Sequence, residues 1–495
     1  MLLLGIDLGT SSIKVSVVDA NTQLEIAATQ YPDTENTIIS KKPGWAEQSP
    51  NLWWEHVQKA IQKLHSKKLY NSEDIQAIGI AYQMHGLVVV NKNHEPLRDS
   101  IIWCDNRAIS LGEQAFSAIG NEKCLYSLLN SPGNFTASKL AWVKTNEPET
   151  YKKIHKVMLP GDFIGMKLTG NISTSIPALS EGVFWDFKEN SISSDLLTSF
   201  DFSKSLFPEV LPVFSAHGTV STNVAKTLGL KAGIPITYKA GDQPNNAFSL
   251  NVMKPGEVAA TAGTSGVIYG VSEKPVLDMA QRINTFAHVN YTQAQKRYGV
   301  LLCINGTGIM NRWIKNLLGT DITYQEMNDM ARTVPVGSEG LRVLPFGNGA
   351  ERMLENKLIG AHLKNIDLNK HDKAHIARAV QEGIAFAFRY GLDVMRENGL
   401  APKLIRAGKA NLFQSDLFNK TFVNTTQVPI ELYESSGSIG AAFGAGIGIK
   451  FYASESEAFS KRKALKIIAP ENNGPYEAVY QDWKALLENQ LQLNH

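Results

Sequence analysis

The chain has 495 residues, of which 43% are hydrophobic and 19% charged, and its formal net charge is +2. This length and composition predict a globular protein with two or more domains, each large enough to bury its own core. The small net charge gives no electrostatic case for nucleic acid or an anionic membrane surface, and the three cysteines predict no disulfide framework. Because no apolar run is long enough to cross a bilayer and no secretory signal opens the chain, we expect a cytoplasmic protein.

Two Gly-Thr-Ser turns, one in each half of the chain, organise the sequence. The first separates the β-rich runs 3–8 and 13–18 and follows Asp7, and the second occupies residues 263–265 between two further β-rich runs. Each turn alone is typical of an ordinary hairpin. The pair predicts two phosphate-binding hairpins that face each other, because glycine lets the backbone approach an anion and successive N–H groups surround it. No G-x-x-x-x-G-K-[ST] sequence occurs, which excludes a P-loop.

Further elements follow from apolar spacing and turn residues. The patterns predict a helix over 50–64, a strand over 78–82 with a returning strand over 87–90, a β run from 101, a strand over 234–240, a helix over 245–251, and long helices over 372–397 and 436–449. The strand that ends near Gly241 marks the predicted boundary between a first domain, residues 1–247, and a second domain, residues 248–495.

Polar side chains follow several of these strands. They occupy residues 83–86, 103–107, 159–162 and 241–243. In an α/β sheet, the carboxyl ends of strands are the usual place for a site. Asp7 supports a functional reading, because a carboxylate in an apolar strand is costly to bury unless it meets a cation or hydrogen-bond donors.

Together with the two turns, these stretches resemble the FGGY family of carbohydrate kinases, and within it the xylulokinases most closely. The matching strings run through nearly the whole chain: GIDLGTSSIK, PGWAEQSPNLWWE, QMHGLVVV, LRDSIIWCDNRA, GNFTASKLAWVK, NEPETY, MLPGDFIGMKLTG, AGTSGV, TFAHV, LPFGNGAER, QEGIAF and SIGAAFGAG. The resemblance implies an α/β, two-domain actin-like ATPase (ribonuclease H-like) fold. Each domain is then a mixed sheet flanked by helices, with ATP in the interdomain cleft.

The resemblance also implies roles for particular residues. Asp242 becomes the catalytic base, and its structural alternative is a cap for the following helix. Asp7 becomes a second catalytic residue that faces Mg²⁺ and the phosphates through water. The residues implied in nucleotide binding are Gly9, Thr10, Ser11, Ser12, Lys14, Gly263, Thr264, Ser265, Gly306, Gly408 and Asn411.

The resemblance places the sugar beside the turn that contains Met84 and His85. Glycerol kinases carry Arg-Glu there, whereas Met-His offers an apolar wall and one imidazole and suits a ketopentose. The alternative is that both residues fill a turn and a core, and a Trp at a strand end is also often core. The implied sugar-binding residues are Gln83, Met84, His85, Trp103, Asp105, Asp242 and Gln243.

Two sequence features depart from the xylulokinase pattern. Xylulokinases commonly have Asp-Asn where this chain has Asp242 and Gln243, a pair found in glycerol kinases. The adenosine loop, usually three glycines and then Ala, reads RAGKAN over residues 406–411. The nucleotide preference therefore stays open.

The resemblance implies ATP-dependent phosphorylation of D-xylulose to D-xylulose 5-phosphate in pentose catabolism, with Mg²⁺. The expected partners are ATP and a small sugar, with no nucleic acid and no membrane. The alternatives are another FGGY kinase, acting on ribulose, fuculose, gluconate or glycerol, and a non-catalytic ATP-binding module of the same fold. The sequence leaves open whether the protein is a monomer or a homodimer.

Overall fold

The computed structural model describes residues 1–319, 321–471 and 474–493. The strands are β1 (Leu2–Leu8), β2 (Ile13–Asp19), β3 (Glu25–Tyr31), β4 (Glu47–Gln48), β5 (Ile75–Tyr82), β6 (Val88–Val90), β7 (Ser100–Ile101), β8 (Lys156–Met158), β9 (Ser173–Thr174), β10 (Trp185–Asp186), β11 (Ser191–Ile192), β12 (Glu209–Val210), β13 (Ile236–Gly241), β14 (Glu257–Ala262), β15 (Gly266–Ser272), β16 (Asn284–Ala287), β17 (Tyr298–Ile304), β18 (Arg342–Phe346), β19 (Gly360–Lys364), β20 (Leu404–Gly408), β21 (Ile430–Tyr433) and β22 (Lys466–Ile468).

The α-helices lie between and after these strands. They are α1 (Pro50–Ser66), α2 (Ile109–Ile119), α3 (Asn121–Leu128), α4 (Thr136–Asn146), α5 (Pro148–Tyr151), α6 (Pro160–Thr169), α7 (Ile176–Glu181), α8 (Ser194–Phe200), α9 (Thr222–Leu228), α10 (Asp242–Ser249), α11 (Gly308–Leu318), α12 (Tyr324–Arg332), α13 (Lys373–Glu397), α14 (Asp416–Thr426), α15 (Gly437–Gly448), α16 (Glu455–Ala458) and α17 (Gly474–Leu493).

Two mixed sheets form the centres of the two halves. The first has the strand order β13-β5-β1-β2-β3, and the second has the order β16-β17-β15-β14-β20-β21-β22. In the first sheet, β13, β5 and β1 are parallel to one another, and β2 is antiparallel to both of its neighbours, β1 and β3. In the second sheet, β21, β20 and β14 are parallel to one another, and β15 is antiparallel to both of its neighbours, β14 and β17. The same five-stranded arrangement therefore occurs twice, each time built around a predicted hairpin.

The strand register brings separate parts of the sequence to one edge of the first sheet. Leu8 of β1 and Gly241 of β13 both pair with Tyr82 of β5. Since these three strands are parallel, their carboxyl ends lie side by side. Asp7, the turn after β5 and Asp242 consequently share one edge, as expected for a site in an α/β sheet.

Most of the elements predicted from apolar spacing are confirmed, including α1, α13, α15 and both hairpins. One pairing differs from the prediction. The run over 87–90 forms β6 but does not return along β5, because β1 and β13 already occupy both sides of that strand. β6 pairs instead with β8 in a separate two-stranded sheet, which carries the chain away from the carboxyl edge.

Helix α15 belongs to the second half of the sequence but packs on the first sheet. A Cβ on Gly5 would lie 1.7 Å from the carbonyl oxygen of Ser438, and one on Gly79 would lie 1.9 Å from that of Ala441. The two glycines thus let the helix backbone rest directly on β1 and β5. The predicted boundary between residues 247 and 248 falls inside α10, so this helix also links the halves.

A shared hydrophobic cluster joins the two halves on one side of the cleft. It includes Met84 and Leu140 from the first half and Tyr269 and Phe286 from the second. In the described part of the chain, no helix combines the length and the apolar character needed to cross a membrane.

Candidate active site

Asp242 lies where β13 meets α10. It is the first residue of that helix, and Gly241, with extended backbone, is the N-cap. Gly241 has no side chain with which to cap the helix, and the Asp242 carboxyl itself receives hydrogen bonds from the main chain and side chain of Gln243 in the first turn, so the alternative of a helix cap stays open. Burial in the cleft, and then the charge of Asp7, raise the pKa of Asp242 to about 7, although hydrogen bonds from Gln243 oppose the rise. A carboxyl with this pKa can accept and release a proton near neutral pH.

Asp7, on β1, is the second carboxyl at the sheet edge that Asp242 shares. Burial raises its pKa, and the positive charge of Lys14, which pairs with it across the hairpin, lowers it. A Cβ on Gly437 would lie 2.3 Å from Oδ2 of Asp7, so the carboxylate packs against the start of α15. Only a glycine at the start of α15 leaves room for Asp7 at this position.

The first Gly-Thr-Ser turn is fixed by hydrogen bonds. The Gly9 N–H donates to the carbonyl oxygens of Asp7 and Ser12 at 3.1 and 3.2 Å. The Thr10 hydroxyl donates to Gln83 at 3.3 Å and accepts from the Trp103 indole N–H at 3.0 Å. Ser11 is exposed and Ser12 half-exposed, as a turn that receives a phosphate requires. Their contact with phosphate stays a prediction.

Gln83 connects this turn to the interior. It is 1% exposed, and its amide donates to the Gln48 side chain, which in turn donates to the Thr10 carbonyl. With its polar atoms engaged in this network, Gln83 supports the turn, and the geometry gives it no free group for a sugar.

The second turn lines a cavity of about 510 Å³ in the second half. Of the predicted nucleotide residues, Gly263, Thr264 and Asn411 lie on its wall. The remaining lining residues come mainly from α11, α12 and the segment after β20: Ala262, Gly308, Asn311, Arg312, Tyr324, Gln325, Asn328, Leu412, Gln414 and Ser415. The volume and mixed polarity of this wall suit a nucleoside.

Three predicted nucleotide residues, Ser265, Gly306 and Gly408, do not line that cavity. The Gly306 N–H is taken by the buried Glu351 carboxylate at 3.0 Å, and a Cβ there would lie 1.9 Å from the Pro345 carbonyl oxygen. Gly306 thus serves close packing of the backbone. Gly408 ends β20, beside the cavity wall, and Ser265 completes the second turn.

His85 has a defined tautomer. Its Nδ1 lies 2.8 Å from the carbonyl oxygen of Glu181, and because a carbonyl only accepts, Nδ1 carries the proton. Burial, and then the charge of Lys139, lower the pKa of His85 to about 3, so the ring is neutral. Phe135 packs edge-on against the ring with centroids 4.8 Å apart. The remaining nitrogen, Nε2, is therefore an acceptor for a hydroxyl.

Glu181, at the end of α7, was not predicted from the sequence. Its Oε1 accepts from the His85 main-chain N–H at 3.3 Å, and a Cβ on Gly241 would lie 2.5 Å from its Oε2. Burial, with the charge of Asp242 adding to it, raises the pKa of Glu181 well above its usual range. The Glu181 side chain thus joins the His85 turn to the strand that carries Asp242, a contact that no local sequence pattern signals.

The other predicted sugar residues differ in their surroundings. Met84 is buried, and Trp103 is 53% exposed beside the first turn. Asp105 is fully buried, and its carboxylate accepts from Arg107 at 2.6 Å and from the Ala46 N–H at 2.5 Å. The geometry therefore does not support its predicted sugar contact, because this ion pair leaves the carboxylate unavailable. Gln243 is half-buried next to Asp242.

The second half contributes an unpredicted cation near His85. Arg352 follows β18, and its charge acts on both Cys303 of β17 and His85. Within the described ranges, Arg352 forms no hydrogen bond or ion pair. The other described residues thus leave its guanidinium without a direct polar partner.

The carboxylates of the site could take part in holding a metal ion. Across residues 1–319, 321–471 and 474–493, no three His, Cys, Asp or Glu side chains are grouped to hold one. Mg²⁺ is commonly bound by one or two carboxylates together with substrate phosphates and water. The carboxylates of Asp7 and Asp242 carry like charges that repel each other. The pair therefore fits a cation that arrives bound to the nucleotide phosphates.

The fold and the site define a two-domain kinase of the actin-like ATPase type. Residues 2–249 match the N-terminal domain of the FGGY family of carbohydrate kinases, and residues 258–449 match its C-terminal domain. The chain belongs to this family.

Curated relatives include xylulose kinases from several bacteria. The xylulose kinase of Haemophilus influenzae is 29% identical over 414 residues, which cover 81% of this chain and 81% of that protein. The xylulose kinase of Lactococcus lactis is 26% identical over 506 residues, which cover 100% of this chain and 98% of that protein. Among carbohydrate kinases, this chain is thus similar in sequence to xylulose kinases.

Solved structures of three differently named kinases share the fold. The xylulose kinase of Rhodospirillum rubrum has a TM-score of 0.89 at 24% identity, covering 100% of both chains. The gluconate kinase of Lactobacillus acidophilus has a TM-score of 0.90 at 24% identity, covering 99% of this chain and 98% of that one. The Plasmodium falciparum glycerol kinase with ADP has a TM-score of 0.88 at 22% identity, with the same coverage. At such identities, the likeness shows the fold alone.

Proposed function

We propose that this chain is an ATP-dependent ketopentose kinase that converts D-xylulose to D-xylulose 5-phosphate. The observation that carries the proposal is the neutral, singly oriented His85 beside Met84, on the same sheet edge as Asp242. An uncharged wall with one acceptor suits a neutral sugar. A charged clamp such as Arg-Glu would have to be desolvated against it.

The proposed chemistry starts at Asp242. As the sugar hydroxyl attacks, its proton passes to the Asp242 carboxylate while its oxygen forms a bond to the γ-phosphorus. The bond between that phosphorus and the bridging oxygen breaks, and ADP leaves with the electron pair. Phosphoryl transfer depends mainly on positioning and charge stabilisation, so one placed carboxylate is enough. Mg²⁺, when bound, supplies neutralising charge to the phosphates.

The two hairpins supply the phosphate contacts in this proposal. The turn at Gly9 and the turn at Gly263 belong to the equivalent strands of the two repeated sheets. Their backbone N–H groups would hold the β- and γ-phosphates, with Lys14 and Asp7 at the first turn. The cavity beside Asn411 would take the nucleoside. A cytoplasmic location, where ATP is available, is part of the proposal.

A second candidate substrate is a sugar acid such as gluconate. The observation that favours it is Arg352, whose guanidinium is unpaired among the described residues and acts on His85. Arginine binds carboxylates in a bidentate manner, so an anionic group on the sugar would satisfy it. In the preferred proposal, Arg352 instead donates to sugar hydroxyls.

A coupled assay of ADP release distinguishes these candidates. The purified protein is given ATP, Mg²⁺ and, separately, D-xylulose, D-ribulose, L-fuculose, D-gluconate or glycerol, and Asp242→Asn serves as the matched control. We expect the highest kcat/KM with D-xylulose and no sugar-dependent turnover in the variant. A preference for gluconate would establish the second candidate, and no turnover with any sugar would indicate a non-catalytic module.

A further inference from the structure

Lys139 is a buried lysine with no acidic partner in direct contact. It lies on α4, is 0% exposed, and forms no salt bridge with other described residues. Its ammonium donates instead to two main-chain carbonyls, those of His85 at 2.9 Å and Ile102 at 3.0 Å. Burying a cation without an ion pair is costly, and an apolar side chain of similar length would fill the same space.

The two carbonyls belong to the two segments that bear the sugar-facing side chains. One is that of His85 itself, and the other directly precedes Trp103. His85 also has a φ of 62°, a left-handed conformation that is uncommon for a residue with a side chain. Such a conformation persists where surrounding contacts hold it in place, and Lys139 provides one on the carbonyl of that very residue.

We propose that Lys139 is a positioning residue of the sugar pocket: its ammonium ties the His85 turn to the Trp103 segment, so that both side chains face one bound sugar. The inference rests on the proposed sugar-binding role of this site. Burial lowers the pKa of Lys139 to about 7, while Asp105 and Cys104 raise it and Arg107 lowers it further. Asp105 and Cys104 thus favour the protonated ammonium, and they offset only part of the effect of burial and of Arg107.

The test compares Lys139→Met with Lys144→Met. Lys144 is a control on the same helix: it also donates to two main-chain carbonyls, those of Phe200 and Asp201, and it pairs with the exposed Asp201 carboxylate, away from the pocket. We expect Lys139→Met to raise the KM for the sugar by about 10-fold or more with the KM for ATP nearly unchanged, since two buried acceptors lose their donor. Lys144→Met should leave both KM values within about 2-fold.

A double variant distinguishes positioning from general destabilisation. If Lys139 acts through His85, Lys139→Met should raise the sugar KM much less in a His85→Ala background than in wild type. Full additivity, or an equal rise in the KM values for sugar and ATP, would overturn the proposal. Should Lys139→Met fail to fold, Lys139→Leu, which likewise donates to neither carbonyl, replaces it, and an unchanged sugar KM in that folded variant would contradict the proposal equally. The comparison uses whichever sugar the wild type phosphorylates, so failure on D-xylulose counts against the proposed function alone.

Discussion

At the scale of single residues, the account depends on two carboxyls that share one sheet edge. Burial raises the pKa of both Asp7 and Asp242, and the charge of Asp7 adds to the rise at Asp242. In the proposed mechanism, the raised pKa lets Asp242 accept and release a proton near neutral pH, which a solvated carboxylate would do less readily.

Asp242→Asn should abolish turnover while ATP and sugar still bind within a few-fold, because the amide keeps the shape but accepts no proton. The wild-type pKa is raised from 3.8 to about 7, so folding stability falls as the pH rises through that range. The variant lacks this loss and should melt at a higher temperature than wild type at pH 8, with the difference vanishing near pH 4. Calorimetric binding, a coupled assay and thermal melts check these outcomes; normal turnover would remove Asp242 as the base.

The pH dependence of kcat/KM for the sugar should show one acidic limb. Asp242 must be ionised to accept a proton, so the rate constant should fall tenfold per pH unit below about 7. His85, with its pKa lowered to about 3, stays neutral and adds no second limb above pH 5. Steady-state kinetics from pH 5 to 8 measure the profile. A rate constant that does not change with pH across that range would contradict the assignment.

His85→Ala should raise the KM for D-xylulose by roughly 5- to 150-fold, because a buried hydrogen bond to the sugar is lost at a cost of about 1–3 kcal/mol. The KM for ATP should stay nearly unchanged. Replacing Met84 and His85 with Arg and Glu should weaken xylulose use further, since two charges then face a neutral sugar. Initial rates at varied sugar concentration give the answer, and an unchanged sugar KM in His85→Ala would show that the turn is only scaffold.

The residues that the sequence identified and those it missed differ in how they reach the site. Asp242 and His85 lie in turns directly after strands, where a polar residue is visible against an apolar run. Glu181 and Lys139 reach the site from helices α7 and α4, through contacts with the main chain of distant residues. No local pattern encodes such contacts. Asp105 was predicted from its place at a strand end, but the ion pair with Arg107 could not be read from spacing.

At the scale of elements, glycines decide how closely α15 lies on the first sheet. Gly5, Gly79 and Gly437 are positions where a Cβ would meet backbone or the Asp7 carboxylate. The sequence pattern predicted the helix itself, over residues 436–449. The surface on which the helix packs, strands β1 and β5 of the first half, became visible only in the structure. Likewise, the pairing of β6 with β8 followed from the occupancy of both sides of β5.

Gly79→Ala should destabilise the protein by about 3 kcal/mol, because its methyl group would lie 1.9 Å from the Ala441 carbonyl oxygen and backbone must shift. Gly319→Ala is the control, since the nearest atom to its Cβ is 3.9 Å away and its φ of 162° is extended backbone. We expect that variant to stay within about 0.5 kcal/mol of wild type. Urea unfolding measures both, and equal stability of the two variants would argue against tight packing of α15.

At the scale of the whole molecule, two copies of one sheet arrangement face each other across a cleft. The duplicated hairpins indicated this architecture from sequence, and the order of β21-β20-β14-β15-β17 against β13-β5-β1-β2-β3 confirms it. The hydrophobic cluster shared by both halves closes one side. In the proposed mechanism, the sugar binds in the first half and the nucleotide in the second, so transfer requires the halves to approach.

Binding of D-xylulose together with a non-hydrolysable ATP analogue should therefore close the cleft and exclude water from the reacting groups. Small-angle scattering should record a smaller radius of gyration with both ligands than with neither. Without sugar, slow ATP hydrolysis should remain, with water in place of the hydroxyl. An unchanged radius of gyration with both ligands bound would indicate a rigid cleft.

A competition experiment measures whether this site selects a neutral ketopentose. The protein is incubated with ATP, Mg²⁺ and an equimolar mixture of D-xylulose, D-ribulose, L-fuculose, D-gluconate and glycerol, and the phosphorylated products are identified by NMR at low conversion. We expect D-xylulose 5-phosphate to be the main product. Predominance of a phosphorylated sugar acid or of glycerol phosphate would contradict it.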